Sequence, residues 1–228
     1  MISQSDAIIY LASQRGCTQS TTYRSYHTFN FGTYFNEHRK AFQNLTGFND
    51  DVLAVEKSVT LTAPKNALVF IIPIAGQLRY RLSENEPREV SVGKVHALRI
   101  IAGAQLEIEN ADNELINFIH VWFNDIDSRN NELLIEFKFL LSENKLMPFL
   151  LNSHESEVKM SIGRFAGRAE SIYKISVPSK GAFVFVLEGA FEVNNRLLQA
   201  RDGLAIWNTD EVEFEALSND AILFIVES

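Results

Sequence analysis

The stretch TAPKNALVFIIPIAGQLRYRL, Thr62 to Leu82, decides how this chain is read. Ala67 to Ala75 is apolar at odd and even positions alike, as a strand covered on both faces must be. Gly76 stops that run. Leu78, Tyr80 and Leu82 then alternate with Gln77, Arg79 and Arg81, the signature of a half-buried strand. Pro73 has no N–H for a ladder, so it predicts an edge or a bulge there.

Working outward, the same grammar recurs. Ile8–Leu11 reads as a short first strand, and Tyr23–Phe35 as an aromatic strand-and-loop flap lying on a core. Val52–Leu61 reads as one half-buried strand, with Leu53, Val55, Val59 and Leu61 on one parity. Short strands follow at Glu89–Val92, Val95–Ile101, Gln105–Glu109 and Ile116–Phe123, punctuated by Gly93 and Gly103. Asp125–Asn131 is the strongest polar break. After it, Leu133 to Leu141 fits both a helical face and an alternating strand, with Ile and Phe enrichment favouring the strand. From residue 157 the strand pattern resumes to Val226.

The two halves echo one another. ALVFIIPIAGQLRY (Ala67–Tyr80) parallels AFVFVLEGAFEV (Ala182–Val193), and Val92–Asn110 parallels Ala200–Ala216. Matching elements in matching order indicate two copies of one β domain. The expected division is an N-terminal domain at 1–124, a linker with extended segments at 125–154, and a C-terminal domain at 155–228.

A chain of 228 residues with 46% apolar content buries an ample core. Its formal charge of −8 and lack of a basic cluster argue against nucleic acid or anionic membrane as partner. The apolar run Ala7–Ala12 is too short for a signal peptide or a membrane span. The single cysteine, Cys17, allows no internal disulfide, and a cytoplasmic location is expected.

Arg24-Ser25-Tyr26-His27-Thr28-Phe29-Asn30-Phe31-Gly32-Thr33-Tyr34-Phe35 resembles the opening of pirin and pirin-like bicupins. Ala182–Gly189, Arg201–Ile206 and Leu223–Ile225 are similar to the second cupin of quercetinase-like pirins. The resemblance implies an all-β protein of two double-stranded β-helix barrels in tandem, cupin and jelly-roll-like. In metal-binding members it implies an iron held by three His and one Glu in the first barrel, some oxidising flavonols with dioxygen. Here those positions fall on Ala63, Lys65, Val69 (or Phe70) and Leu106. None offers a usable donor, and no His-x-His occurs in the chain.

The expectation is therefore a member without metal or other cofactor, non-enzymatic or regulatory. Its first barrel, lined by Val69, Ile71 and Leu106, closes up or holds a small apolar ligand, or the protein acts through a protein partner. The alternative is a quercetin 2,3-dioxygenase-like oxidoreductase with an atypical metal site built from His27, His96 or His120. His96 and His120 are expected to be near one another if their strands are neighbours. Cys17, beside Arg15, is a weaker candidate, as a redox-sensing thiol.

Overall fold

A computed structural model of the chain describes residues 5–124, 134–138, 141–152, 157–176 and 181–227. Among these the only helical element is a 3₁₀ turn at Ala12–Gln14. The strands in chain order are β1 (Asp6–Tyr10), β2 (Gly16–Gln19), β3 (Tyr23–His27), β4 (Leu45–Leu53), β5 (Ser58–Thr62), β6 (Ala67–Ala75) and β7 (Gln77–Leu82). Next come β8 (Arg88–Ser91), β9 (Lys94–Ile100), β10 (Gln105–Asn110), β11 (Ile116–Asn124), β12 (Leu134–Lys138), β13 (Lys145–Asn152) and β14 (Glu157–Phe165). The last are β15 (Glu170–Lys174), β16 (Ala182–Glu188), β17 (Ala190–Val193), β18 (Arg196–Gln199), β19 (Gly203–Trp207), β20 (Glu211–Ala216) and β21 (Ala221–Glu227).

The chain forms two units. One is Arg15–Phe139, the other Leu140–Ser228 together with Met1–Gln14. In the first, a seven-stranded sheet of order β12-β9-β6-β11-β4-β3-β2 accompanies a four-stranded sheet of order β5-β10-β7-β8. In the second, a six-stranded sheet of order β1-β19-β16-β21-β14-β13 accompanies a four-stranded sheet of order β15-β20-β17-β18. Adding ten to the strand numbers of β9-β6-β11-β4 and β5-β10-β7-β8 yields the second unit's orders, so the internal repeat is a repeat of topology. Gly76 and Gly189 occupy the same bend, with φ of +80° and +76°. A Cβ there would meet Ile116 Cγ2 at 2.6 Å or Ala221 Cβ at 2.8 Å, so both conformation and space call for glycine.

Each unit encloses an apolar core. In the first, Val69, Ile71, Leu98, Leu106, Ile108 and Phe118 pack together. In the second, Val184, Val186, Phe191, Phe214, Leu223 and Ile225 do so, with Phe165 meeting Phe191 and Phe214 edge-on. Burying each such side chain contributes about 1.5–3 kcal/mol.

Three expectations change. The reading of Val52–Leu61 as one strand is replaced by the end of β4, a turn and β5. The Lys57 N–H bonds back to the Ala54 carbonyl and Glu56 takes φ of +57°, which reverses the chain. The first strand belongs to the second unit, so the domain expected at 1–124 begins at Arg15 instead. Asp6 to Tyr10 pairs antiparallel with Trp207 to Gly203, and Ala12 N–H donates to Asp202 Oδ1 at 2.6 Å. The linker expected at 125–154 is divided: β12 pairs with β9 in the first unit and β13 with β14 in the second. The ambiguous segment is strand over Leu134–Lys138, while the polar break at 125–131 lies outside the described residues.

Pro73 sits where its missing N–H does least harm. Strand β6 pairs with β9 only as far as Ile71, and its register with β11 shifts between Asn117 and Phe118, opposite Ala75 and Pro73.

Candidate functional site

The seven-stranded sheet carries one transverse row of cross-strand partners: Glu136, His96, Ile71, His120, Asn49, His27 and Gly16. Directly paired residues face the same side of a sheet. His120 shares its side with Phe118 and Trp122, both in the first barrel's core, so the row faces the barrel interior. Strand β6 separates His96 from His120, and Ile71 stands between them. At about 4.8 Å per strand the two backbones are roughly 10 Å apart, so the expected His96–His120 neighbourhood is not formed. Asn49 separates His120 from His27 in the same way.

Each histidine is instead held by its own partners. Trp122 Nε1–H donates to His120 Nδ1 at 2.6 Å, and His120 Nε2 lies 3.0 Å from Asp51 Oδ2. Asp51, fully buried, also accepts from Tyr23 Oη and Ser25 Oγ, each at 2.5 Å. Burial, then the Asp51 charge, pushes the Tyr23 phenol far above its ordinary range. His27 bonds Asn49 Oδ1 through Nδ1 at 2.7 Å and Thr18 Oγ1 through Nε2 at 2.9 Å. Burial lowers its pKa, partly opposed by the Asn49 bond. His96 lies between Tyr80 Oη at 2.9 Å and Glu136 Oε2 at 3.1 Å. Burial lowers its pKa too, while the His96 and Lys94 contacts bring Glu136 down to about 2.

Aromatic rings connect this row to the surface. Phe31 stacks on His27 at 5.9 Å and meets His120 and Trp122 edge-on, each at 5.3 Å. Tyr34 stacks on His27 at 5.6 Å. Its ring occupies the space left by Gly16, where a Cβ would come within 2.4 Å of Tyr34 Cζ. These rings wall a cleft of about 810 Å³, together with Phe35, Leu61, Ala67 and Trp122. Its polar lining is Asn30, Asn66, Asn124 and the threonines at 46, 60 and 62, with Lys65 the one charged side chain.

The positions onto which the resemblance maps iron ligands fall beside this cleft. Ala63, Val69 and Leu106 are 1%, 0% and 0% exposed and lie in one apolar cluster with the cleft residues Ala67 and Trp122. Lys65 is exposed on the rim. Methyl and branched alkyl groups have no lone pair, and an ammonium repels a cation, so these residues do not fit iron. Among the described residues, no three His, Cys, Asp or Glu side chains are grouped so as to hold a metal ion. Cys17 is an exposed residue of β2, and the neighbouring Arg15 guanidinium pairs with Asp50 at 3.1 Å and covers the Tyr26 ring at 4.7 Å. His154 lies outside the described residues.

Sequence reasoning missed Asp51, Asn49, Tyr23, Ser25 and Trp122. The run Gly47-Phe48-Asn49-Asp50-Asp51 has loop composition, yet it forms the middle of β4, between β11 and β3. Its only signal was parity, since Asn49 and Asp51 share a face with Leu53.

Two barrels of one topology, each a pair of facing antiparallel sheets, make this a tandem double-stranded β-helix protein, a bicupin. Residues 155–225 match the family model described as quercetinase C-terminal cupin domain. The chain is 21% identical over 225 residues to a quercetin 2,3-dioxygenase of Escherichia coli (strain K12), covering 95% of this chain and 97% of that one. Its fold matches the crystal structure of the bacterial pirin YhhW in complex with nickel(II) from Escherichia coli with a TM-score of 0.83, at 17% identity, over 97% of this chain and 98% of that one. A quercetin 2,3-dioxygenase from Acinetobacter baumannii matches with a TM-score of 0.75, at 12% identity, over 97% of this chain and 85% of that one. In fold the chain is a bicupin, and in sequence it is similar to pirins and quercetin 2,3-dioxygenases.

Proposed function

We propose that this bicupin is a metal-independent binding protein whose first barrel takes a small apolar molecule at the cleft walled by Phe31, Tyr34, Phe35 and Trp122. The observation that carries this reading is the sealing of Ala63, Val69 and Leu106 into the apolar cluster that also supplies the cleft residues Ala67 and Trp122. Where an iron centre needs imidazole and carboxylate, this barrel has a greasy floor. A concave site of about 810 Å³ with aromatic walls and a few polar groups suits a small molecule better than a protein surface. Net charge of −8 speaks against nucleic acid and anionic membrane as partners. No helix among the described residues is long and apolar enough to cross a membrane, and one exposed cysteine suits the reducing cytoplasm.

The names of the relatives favour a second reading, an oxidoreductase using an atypical metal site. Such a site has to be assembled from His27, His96 and His120, which Ile71 and Asn49 hold apart and which already have partners. One experiment separates the two. The protein is loaded with iron(II) and, separately, nickel(II), passed over a desalting column, and assayed for bound metal and for oxygen uptake with quercetin. The binding reading expects well under one metal ion per ten chains and no uptake above the metal-salt control. Stoichiometric metal with uptake above that control overturns it.

A further inference from the structure

The cleft is uneven in charge and in hydrogen-bonding sense. The chain has 29 acidic and 21 basic residues, yet the cleft lining contains no Asp or Glu, and its single charged group is the exposed Lys65 ammonium. Two lining amides have their oxygens engaged. Asn66 Oδ1 accepts from Ala102 N–H at 2.9 Å, and Asn30 Oδ1 accepts from Asn36 N–H at 2.7 Å. The orientation of each amide follows from those bonds, because a backbone N–H requires the oxygen. Each oxygen keeps one lone pair beyond that bond, and each amide also carries an NH₂ group, a donor suited to an anion. Thr46 Oγ1 donates to the Trp122 carbonyl at 3.1 Å, which adds no anionic character to the wall.

Donors and a cation at the rim, aromatic faces below and no carboxylate describe the complement of a planar aromatic anion. We propose that the ligand of this cleft is a small aromatic carboxylate, its ring against Phe31, Phe35 and Trp122 and its carboxylate on Lys65 with the Asn30 and Asn66 amides. This rests on the binding reading above and names the ligand class for the same site. Phe35 supports the assignment, being a phenyl ring left 77% exposed at the cleft edge. A ring at the mouth of an aromatic cleft offers a face on which a planar ligand stacks. A lysine is compatible with a greasy floor, because a long aliphatic stem packs on apolar surface while its head stays in water.

The test uses the full chain, with 2-naphthoate and its uncharged counterpart 2-naphthamide as probes in isothermal titration calorimetry at low salt. Naphthoate is expected to bind about three- to tenfold more tightly than naphthamide, the range for a rim ion pair reinforced by charge-assisted hydrogen bonds. Lys65→Gln is expected to reduce naphthoate binding to the naphthamide level and leave naphthamide unchanged. Phe35→Ala, an exposed position with little bearing on folding, is expected to weaken both probes alike. Equal affinity for the two probes, or naphthoate binding indifferent to Lys65→Gln, overturns the carboxylate assignment while the apolar cleft stands. Binding of neither probe at millimolar concentration overturns both the assignment and the binding reading on which it rests.

Discussion

The indole N–H of Trp122 donates to Nδ1 of His120 at 2.6 Å. An indole nitrogen can only donate, so the imidazole presents a lone pair at Nδ1 and carries its proton on Nε2, facing Asp51 at 3.0 Å. One aromatic wall residue of the cleft thereby sets the tautomer of a histidine that is 0% exposed. The cleft wall and the buried polar row thus share a hydrogen bond and ring contacts, and substitutions in the row are expected to be felt at the surface.

Trp122→Phe keeps a ring in the cleft wall but leaves His120 Nδ1 without its donor. A buried acceptor left unpaired costs about 1–3 kcal/mol, so the first unit should unfold at correspondingly lower urea. Denaturation followed by far-UV circular dichroism reads this directly. A midpoint unchanged from wild type would mean that the bond contributes nothing.

Asp51→Asn should be more damaging. Asp51 accepts from Tyr23, Ser25 and His120, and an amide turns an NH₂ group toward at least one of those donors. Loss of hydrogen bonds to a charged group, with a donor left buried, gives an expected destabilisation of about 3 kcal/mol or more. Ser25→Ala removes only one of the three bonds and should cost about 1 kcal/mol. If the two variants lose equal stability, the three bonds do not act through a shared carboxylate.

Gly16→Ala tests the packing of Tyr34. The added Cβ would fall 2.4 Å from Tyr34 Cζ, and Gly16 has ordinary backbone geometry, so the effect is purely steric. Displacing the ring from its stack on His27 should cost about 1–3 kcal/mol and weaken naphthalene binding at the cleft. Retained affinity with lowered stability would show that Tyr34 is not part of the binding wall.

Stability of the first unit should fall with acid. Burial lowers the pKa of His27 and of His96 below the ordinary value of 6.5, so between the folded and unfolded values the unfolded chain binds more protons. The stabilisation is complete above about pH 6.5 and is lost as pH falls through the folded values. Thermal midpoints from pH 8 to pH 5 check this. His27→Gln keeps a hydrogen-bonding side chain that does not titrate, and its curve should be flatter over that window. Parallel curves for variant and wild type would remove His27 from the explanation.

In the second unit, Glu215 is the cross-strand partner of both Glu170 and Glu192, with Arg168 Nη1 2.9 Å from its Oε1. Like charges directly opposite repel, so Glu192→Gln should stabilise this sheet by about 0.2–1 kcal/mol, with the gain shrinking in high salt. A loss of stability, or a gain independent of salt, would contradict the electrostatic account.

The sequence alone determined the β architecture and its duplication. The doubly apolar runs at Ala67–Ala75 and Ala182–Leu187, and the glycines at 76 and 189, are local facts. Periodicity and backbone freedom suffice to read them. That the side chains of Ala63, Val69 and Leu106 carry no metal-donor atoms is likewise true in any fold. Tertiary structure decided the rest. That Asp6–Tyr10 pairs with Gly203–Trp207, and that Asn49 and Asp51 lie in a central strand, depends on partners far away in the chain, about which local propensity is silent. The spacing of His27, His96 and His120 was likewise settled by which strands intervene. A row across a sheet gathers one residue from each strand, and only strand order and register say which residues those are.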